Sequence, residues 1–311
     1  MMIENIDETE YLKLIIEYKK DIPIWCGQEA LKCYQNKELI KVKKNEKDLA
    51  VFLIPIDNAG VRRKYRYFPY LMPIVLNAES NIKLKEIYKI IFSYLFNKYD
   101  YVFIPLHPNF KLVASISSQG GLVEMRHTHI TNKKILLERL SSKLRNHIKN
   151  AKNKVELIID KNYADYDFSK AIKGSVEEQN ERSKLAKKIL DASNGYAVKI
   201  KYENQIIAGI IVVFDKEWAY LLHSYQNKGI VRGVVPYMIF SAVNYAFDIL
   251  KVKYFDFEGS VIDEIDDFFS SFNVDVITYP YIIFSKTKDD FENLINRSVN
   301  IDGRVKIYER N

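Results

Sequence analysis

The sequence predicts an α+β fold, with mixed sheets flanked by helices. Apolar runs of strand length alternate with stretches whose apolar residues recur every three or four positions. A strand-rich block over 196–225 is followed by a helical segment and then by another strand, a meander closed by a crossover. With 11 Gly, 8 Pro and 48% hydrophobic residues in 311, nothing reads as a linker or a repeat, and the apolar content suffices for a substantial core.

Taken in order, IWCGQEALKCYQNK (24–37) reads as helical and holds the two cysteines, Cys26 and Cys33, on a buried face rather than in a disulfide or metal site. LAVFLIPI (49–56) and YLMPIVL (70–76) have strand length. In 83–99, Leu84, Ile87, Ile91 and Leu95 make a helical face, and YVFIPLHP (101–108) is a strand that ends against prolines. The segment 135–154 places Leu137, Leu140, Leu144, Ile148 and Ala151 on one stripe of a helix. A long polar helix is expected over 167–195, stopped by Gly195. Residues 196–225 divide into three strands at YENQ and FDKE, because Asn and Asp tolerate tight turns. A helix over 235–250 and a strand over 252–260 complete the pattern.

The net charge of +7 favours an anionic partner such as a nucleotide, a phosphorylated carrier or RNA. The N-terminus is acidic before it is amphipathic, unlike a signal peptide, and no apolar run approaches the roughly 20 residues that span a bilayer. The expectation is a soluble cytoplasmic protein without a transmembrane segment.

Three stretches carry candidate chemistry. Lys133, Lys134, Arg139, Lys143, Arg145, Lys149, Lys152 and Lys154 face a single acid, Glu138, so this helix can hold phosphate or RNA backbone on its wet side; an ordinary solvated lysine face gives the same pattern. In FDFEGS (255–260), strand alternation puts Asp256 and Glu258 on one face, with Phe255, Phe257 and Gly259 on the other. Two acids on an otherwise apolar strand need a partner or a cleft, where one can act as a base toward an incoming amine. Capping a loop or pairing with lysines is the alternative. In SYQNKGIVRGVVP (224–236), Gln226 and Gly229 resemble the first two positions of the pyrophosphate loop Q/R-x-x-G-x-G/A of CoA-dependent GNAT enzymes, in which backbone N–H groups at a helix N-terminus hold phosphates; Val231 stands at the last position. His127 and His129 share a strand face without a third ligand nearby, so no metal is expected, and neither a P-loop, a GxGxxG nor a GxSxG motif is present.

The order of four segments, 66–76, 128–154, 195–225 and 255–284, resembles the Fem-type aminoacyltransferases of the GNAT-like superfamily. In the third, IIAG sits between strands; the fourth is similar to the family's D-F-x-G-S followed by F-K-x-x-F-G, although Ser270 follows Phe269 and Asn273 stands where Gly is usual. A counterpart of the family's coiled-coil arm is not evident. The resemblance implies two tandem GNAT-like acyl-CoA N-acyltransferase domains, an N-terminal one over 1–132 and a C-terminal one over 133–311, and transfer of an acyl or aminoacyl group onto an amine of a cell-envelope precursor, glycan or small molecule. A non-catalytic GNAT-like module that binds RNA or an anionic carrier is the alternative. Under the first reading, Glu258 and Asp256 are catalytic, with Glu258 the base or amine-orienting group. Lys143, Arg145, Lys149, Tyr225 and Tyr237 bind substrate, and Gln226 and Gly229 hold the co-substrate, acyl-CoA or aminoacyl-tRNA, with no tightly bound cofactor. The implied partners are an anionic or carrier-linked acceptor and tRNA; DNA is not among them.

Overall fold

In the computed structural model, residues 1–287 are described except for 19–21, 35, 58–59, 63–69, 78–80, 111–112, 164, 167–179, 181–183, 185–186, 189, 192–193, 228 and 259–262. The chain forms two compact units. One holds Met1–His127, Ser260–Ile265 and Thr278–Asn311; the other holds Thr128–Gly259 and Asp266–Ile277. The sequence suggests a single cut after residue 132, whereas the chain crosses between units again beyond 259.

The first unit contains β1 (Met2–Asn5), α1 (Glu8–Glu17), α2 (Gln28–Cys33), β2 (Lys37–Lys44), β3 (Lys47–Asp57), β4 (Gly60–Arg62), β5 (Ile74–Val75), α3 (Asn81–Lys98), β6 (Tyr101–Pro105) and α4 (Ala114–Ser117). Strand order runs β1-β2-β3-β4-β6 and ends on β13 (Asp275–Ser285) through Tyr281–Ser285. Among its described strands, β4 and β6, joined through α3, pair in parallel and the others antiparallel. Cys26 and Cys33 are buried free thiols. The 70–76 strand shrinks to Ile74–Val75 plus a bridge from Leu71 to Leu106, since Pro73 brings no N–H to a ladder. Glu38 on β2 accepts hydrogen bonds from Tyr94 (2.5 Å) and Lys98 (2.6 Å), and from Tyr99. Burial works to raise its pKa, but these donors prevail and hold it below the usual carboxylate value.

The second unit is built on β7 (Leu122–Thr131, from Thr128 onward), α5 (Ser142–Lys152), β8 (Glu156–Asp160), β9 (Asn194–Tyr202), β10 (Gln205–Phe214), β11 (Trp218–Gln226), α6 (Val234–Tyr245) and β12 (Tyr254–Asp256), followed by α7 (Asp263–Ser270, from Asp266 onward). Its strand order is β7-β12-β11-β10-β9-β8. The three expected strands of 196–225 form the central meander. Glu203 and Asn204, at φ 46° and 64°, make the first turn, and Asp215 closes the second by accepting from the N–H of Glu217 and Trp218. The apolar face of the meander (Tyr196, Val198, Ile200, Ile210, Val212, Leu221) packs with Leu144, Ile148 and Ala151 of α5 and Met238, Ala242 and Val243 of α6.

Local chemistry moves several boundaries. The 135–154 helix begins only at Ser142: Leu140 is extended, and the Ser141 hydroxyl caps a fresh helix by accepting from the Leu144 N–H. The three-residue turn Leu137–Arg139 stands apart. Most of 167–195 lies outside the described residues; Gly195 itself belongs to β9, where an added Cβ would come within 2.6 Å of Leu190. It marks close packing rather than a helix stop.

Candidate functional site

The second unit concentrates the candidate chemistry where β11 and β12 part. These strands are parallel and paired from Trp218–Tyr254 to Tyr220–Asp256. There β12 ends, while β11 continues from Leu221 to Gln226 along β10, with a register irregularity at Ile211/Val212. Past the end of β11 at Gln226 the chain goes on to α6. Gly233 caps that helix at φ 91°, a conformation that L side chains rarely adopt. An added Cβ there would meet the His147 carbonyl oxygen at 2.1 Å, so the loop sits directly on the backbone of α5. The Asn150 side chain fixes the same contact by donating to the Arg232 carbonyl at 3.0 Å.

A pocket of about 510 Å³ lies at this helix N-terminus, lined by His147, Gln226, Gly229, Val231, Arg232, Gly233 and the α6 residues that follow, with Phe268 of α7 on its wall. Orphan N–H groups of a first helical turn attract phosphate, and Pro236 removes an N–H only where no intrahelical partner exists. Burial, then the cations of Arg232 and Lys143, holds His147 below its ordinary pKa. Besides His147, the described pocket lining carries one cation, Arg232, and no acid.

The acids of FDFEGS separate. Asp256 is wholly buried at the end of β12, accepting from the Thr128 hydroxyl at 2.6 Å and from the Glu258 N–H at 2.7 Å on the same oxygen. Glu258 lies past the strand at φ 54°, so strand alternation no longer relates it to Asp256. It is half-buried. Phe255 and Phe257 do go into the core, Phe257 packing on Phe269 at 5.4 Å, and Phe269 in turn on the pocket residue Phe268 at 5.8 Å. Gly259 lies outside the described residues.

None of the remaining sequence candidates lines the pocket. Lys143 and Lys149 are exposed on α5, with Arg145 half-buried. Tyr237 is enclosed on α6, and burial raises its pKa despite a bond with Ser241. Tyr225 is buried against Tyr166, at 4.9 Å between ring centroids, in a slot that exists because Gly209 lacks a side chain. The Tyr166 hydroxyl lies 2.8 Å from His223 Nδ1. His129 is buried with Nε2 at 3.0 Å from the Ser270 hydroxyl. The sequence did not single out Gly233, Arg232 or Thr128, and it reads His147 as structural rather than catalytic. Gly233 had a visible signal, a glycine immediately before an apolar helical run, but the motif register drew attention to Val231. Among the described residues, no group of three or more His, Cys, Asp or Glu is placed to hold a metal, and no helix is long and apolar enough to cross a membrane.

Comparison with solved structures defines the class of fold. The chain is similar to FemX (TM-score 0.62, 10% identity, covering 94% of this chain and 99% of that one). A tandem GNAT protein from the clavulanic acid biosynthesis pathway gives a TM-score of 0.59 at 7% identity, covering 91% and 98%. The C-terminal domain of a putative lysylphosphatidylglycerol synthetase from Agrobacterium fabrum gives 0.56 at 10%, covering 97% and 99%. No protein-family model and no curated protein matches the chain. The fold is that of Fem-like, tandem GNAT proteins, α+β domains with mixed sheets flanked by helices.

Proposed function

We propose that this chain is an N-acyltransferase that moves an acyl or aminoacyl group from acyl-CoA or aminoacyl-tRNA onto an amine of a cell-envelope precursor, glycan or small molecule. The observation that carries the reading is the parting of β11 from β12 next to a glycine-capped helix N-terminus that lines a pocket with Arg232 and no acid among its described residues. Both donors carry phosphates, which the first turn of α6, Gly229 and Arg232 can hold, with Gln226 at the strand end. Backbone N–H groups near the point where β12 ends and β11 runs on are the candidates to hold a tetrahedral oxyanion, as preorganised dipoles do.

Glu258 is the proposed base. As the amine nitrogen bonds to the carbonyl carbon, the Glu258 carboxylate takes the ammonium proton, and it returns that proton to the sulfur or ribose oxygen as the carbon–sulfur or carbon–oxygen bond breaks. Asp256 serves as a positioning residue, because it holds the Glu258 N–H and is itself held by Thr128. Tyr237, enclosed on α6, and Tyr225, buried against Tyr166, do not line this pocket and are given no part in the step. The neighbours' names accord with transfer of acyl or aminoacyl groups.

Calorimetric titration with acetyl-CoA, then with aminoacyl-tRNA, tests the donor. Saturable binding that persists at moderate salt and is lost in Gly233→Ala supports it. Glu258→Gln is expected to keep the wild-type circular dichroism and donor affinity while lowering transfer by at least about 10²-fold; transfer at the wild-type rate would remove Glu258 from the role. Polyanion binding without donor turnover would instead favour a non-catalytic module that holds RNA or an anionic carrier.

A further inference from the structure

The solvent half of α5 carries cations and amides but no acid. Lys143, Asn146, Lys149, Lys152 and Asn153 are exposed there, Arg145 and Asn150 half-buried, and Lys154 follows at the helix end. None of Lys143, Arg145, Lys149, Lys152 and Lys154 makes an ion pair among the described residues, whereas Lys134, Lys199, Lys201 and Lys253 of the same unit all do. The loop seated on this helix adds Arg232, tied to Asn150, and Ile230, an aliphatic side chain 44% exposed two residues away.

We infer that this face of the second unit docks on an anionic lipid surface. An array of Lys and Arg is attracted to a negative leaflet, and an exposed aliphatic residue on the adjoining loop can enter the acyl boundary. Charge complementarity alone would also suit RNA, but the apolar component separates the two partners. Sequence-tolerant RNA binding relies on aromatic stacking, and although the chain holds 22 Tyr, 17 Phe and 2 Trp, no aromatic is among the exposed large apolar residues described. Ile230 contributes nothing to a phosphate backbone, while an interfacial site uses it. The docking stands independently of the transfer reading; if that reading also holds, the acceptor amine is presented at a membrane surface next to the α6 pocket.

Sedimentation of the full chain with vesicles tests this. Vesicles of phosphatidylcholine mixed with phosphatidylglycerol should carry the protein down, pure phosphatidylcholine vesicles should not, and added salt should release it. A Lys149→Glu, Lys152→Glu, Lys154→Glu variant should lose at least about tenfold in partitioning, and Ile230→Ser severalfold, both with wild-type melting temperatures because the substituted side chains are exposed. Absence of phosphatidylglycerol-dependent sedimentation overturns the inference. So does partitioning unaffected by the triple variant, or a polyanion preference in which bulk tRNA binds tighter than vesicles and Ile230→Ser changes nothing. Donor titration reads the transfer site separately: acetyl-CoA binding without vesicle binding leaves the transfer reading standing, and the converse leaves only the docking.

Discussion

Asp256 and Glu258 show how far a period-two argument reaches. It requires both residues to keep strand dihedrals, and Glu258 does not: its φ of 54° turns the chain so that its own N–H returns to Asp256. That the two phenylalanines are core and that the acids sit where a strand ends was legible in FDFEGS. The separation of the acids, one locked by Thr128 and one half-buried, was not, because the donor comes from a residue 128 positions away. His147 was equally illegible, since its neighbours Arg232 and the Gly233 loop arrive from a distant segment. Burial, then Arg232 and Lys143, lowers the folded pKa below the unfolded one, so the unfolded state binds the proton more tightly and the protein loses stability as pH falls through the ordinary histidine range. In His147→Gln that increment of acid sensitivity should vanish. Comparing urea midpoints of the two proteins at about pH 8 and about pH 5.5 checks it; a variant that loses as much stability on acidification as the wild type refutes the assignment.

At the level of elements, the meander of 194–226 was the most readable part, because alternation, turn residues and strand length agree there. Readability failed where one residue overrides a pattern: Pro73 breaks a strand, Ser141 restarts a helix, and Gly195 packs inside a strand. The seat of α6 depends on two such contacts. Tyr196 on β9 donates to the Ala242 carbonyl at 2.8 Å in the core, and Gly233 allows the loop to touch the α5 backbone. Tyr196→Phe should cost about 0.5–1.5 kcal/mol, the usual net value of one hydrogen bond, and leave the pocket's affinity for a phosphate ligand intact. Gly233→Ala should be far worse. It adds a left-handed strain of about 1–2 kcal/mol to a clash with backbone that cannot swing aside, so both stability and ligand affinity should fall. Denaturant titration paired with calorimetry separates the two; a Gly233→Ala variant with wild-type affinity would show that the loop does not shape the pocket.

For the whole molecule, the same strand logic occurs in each unit, antiparallel neighbours with one parallel pair joined through a helix, β4 to β6 by α3 and β11 to β12 by α6. A sequence cut after residue 132 follows that repetition but not the path of the chain. Tyr281–Ser285 supplies the strand that pairs with Tyr101–Pro105 in the first unit, while Ile130 and Thr131 supply the partners of Asp256 and Phe255 in the second. A fragment 1–132 therefore leaves the β6 edge, whose Val102 and Ile104 are core residues, without its neighbour, and such an apolar edge recruits other chains. A fragment 133–311 lacks the Thr128 hydroxyl on which the buried Asp256 carboxylate depends. Neither fragment should fold alone: 1–132 is expected to aggregate, and 133–311 to lack a cooperative thermal transition. Co-expression should restore a soluble complex, since every strand is then present. Cooperative unfolding of isolated 1–132, measured by circular dichroism, would show instead that the first unit closes its core without the returning strand.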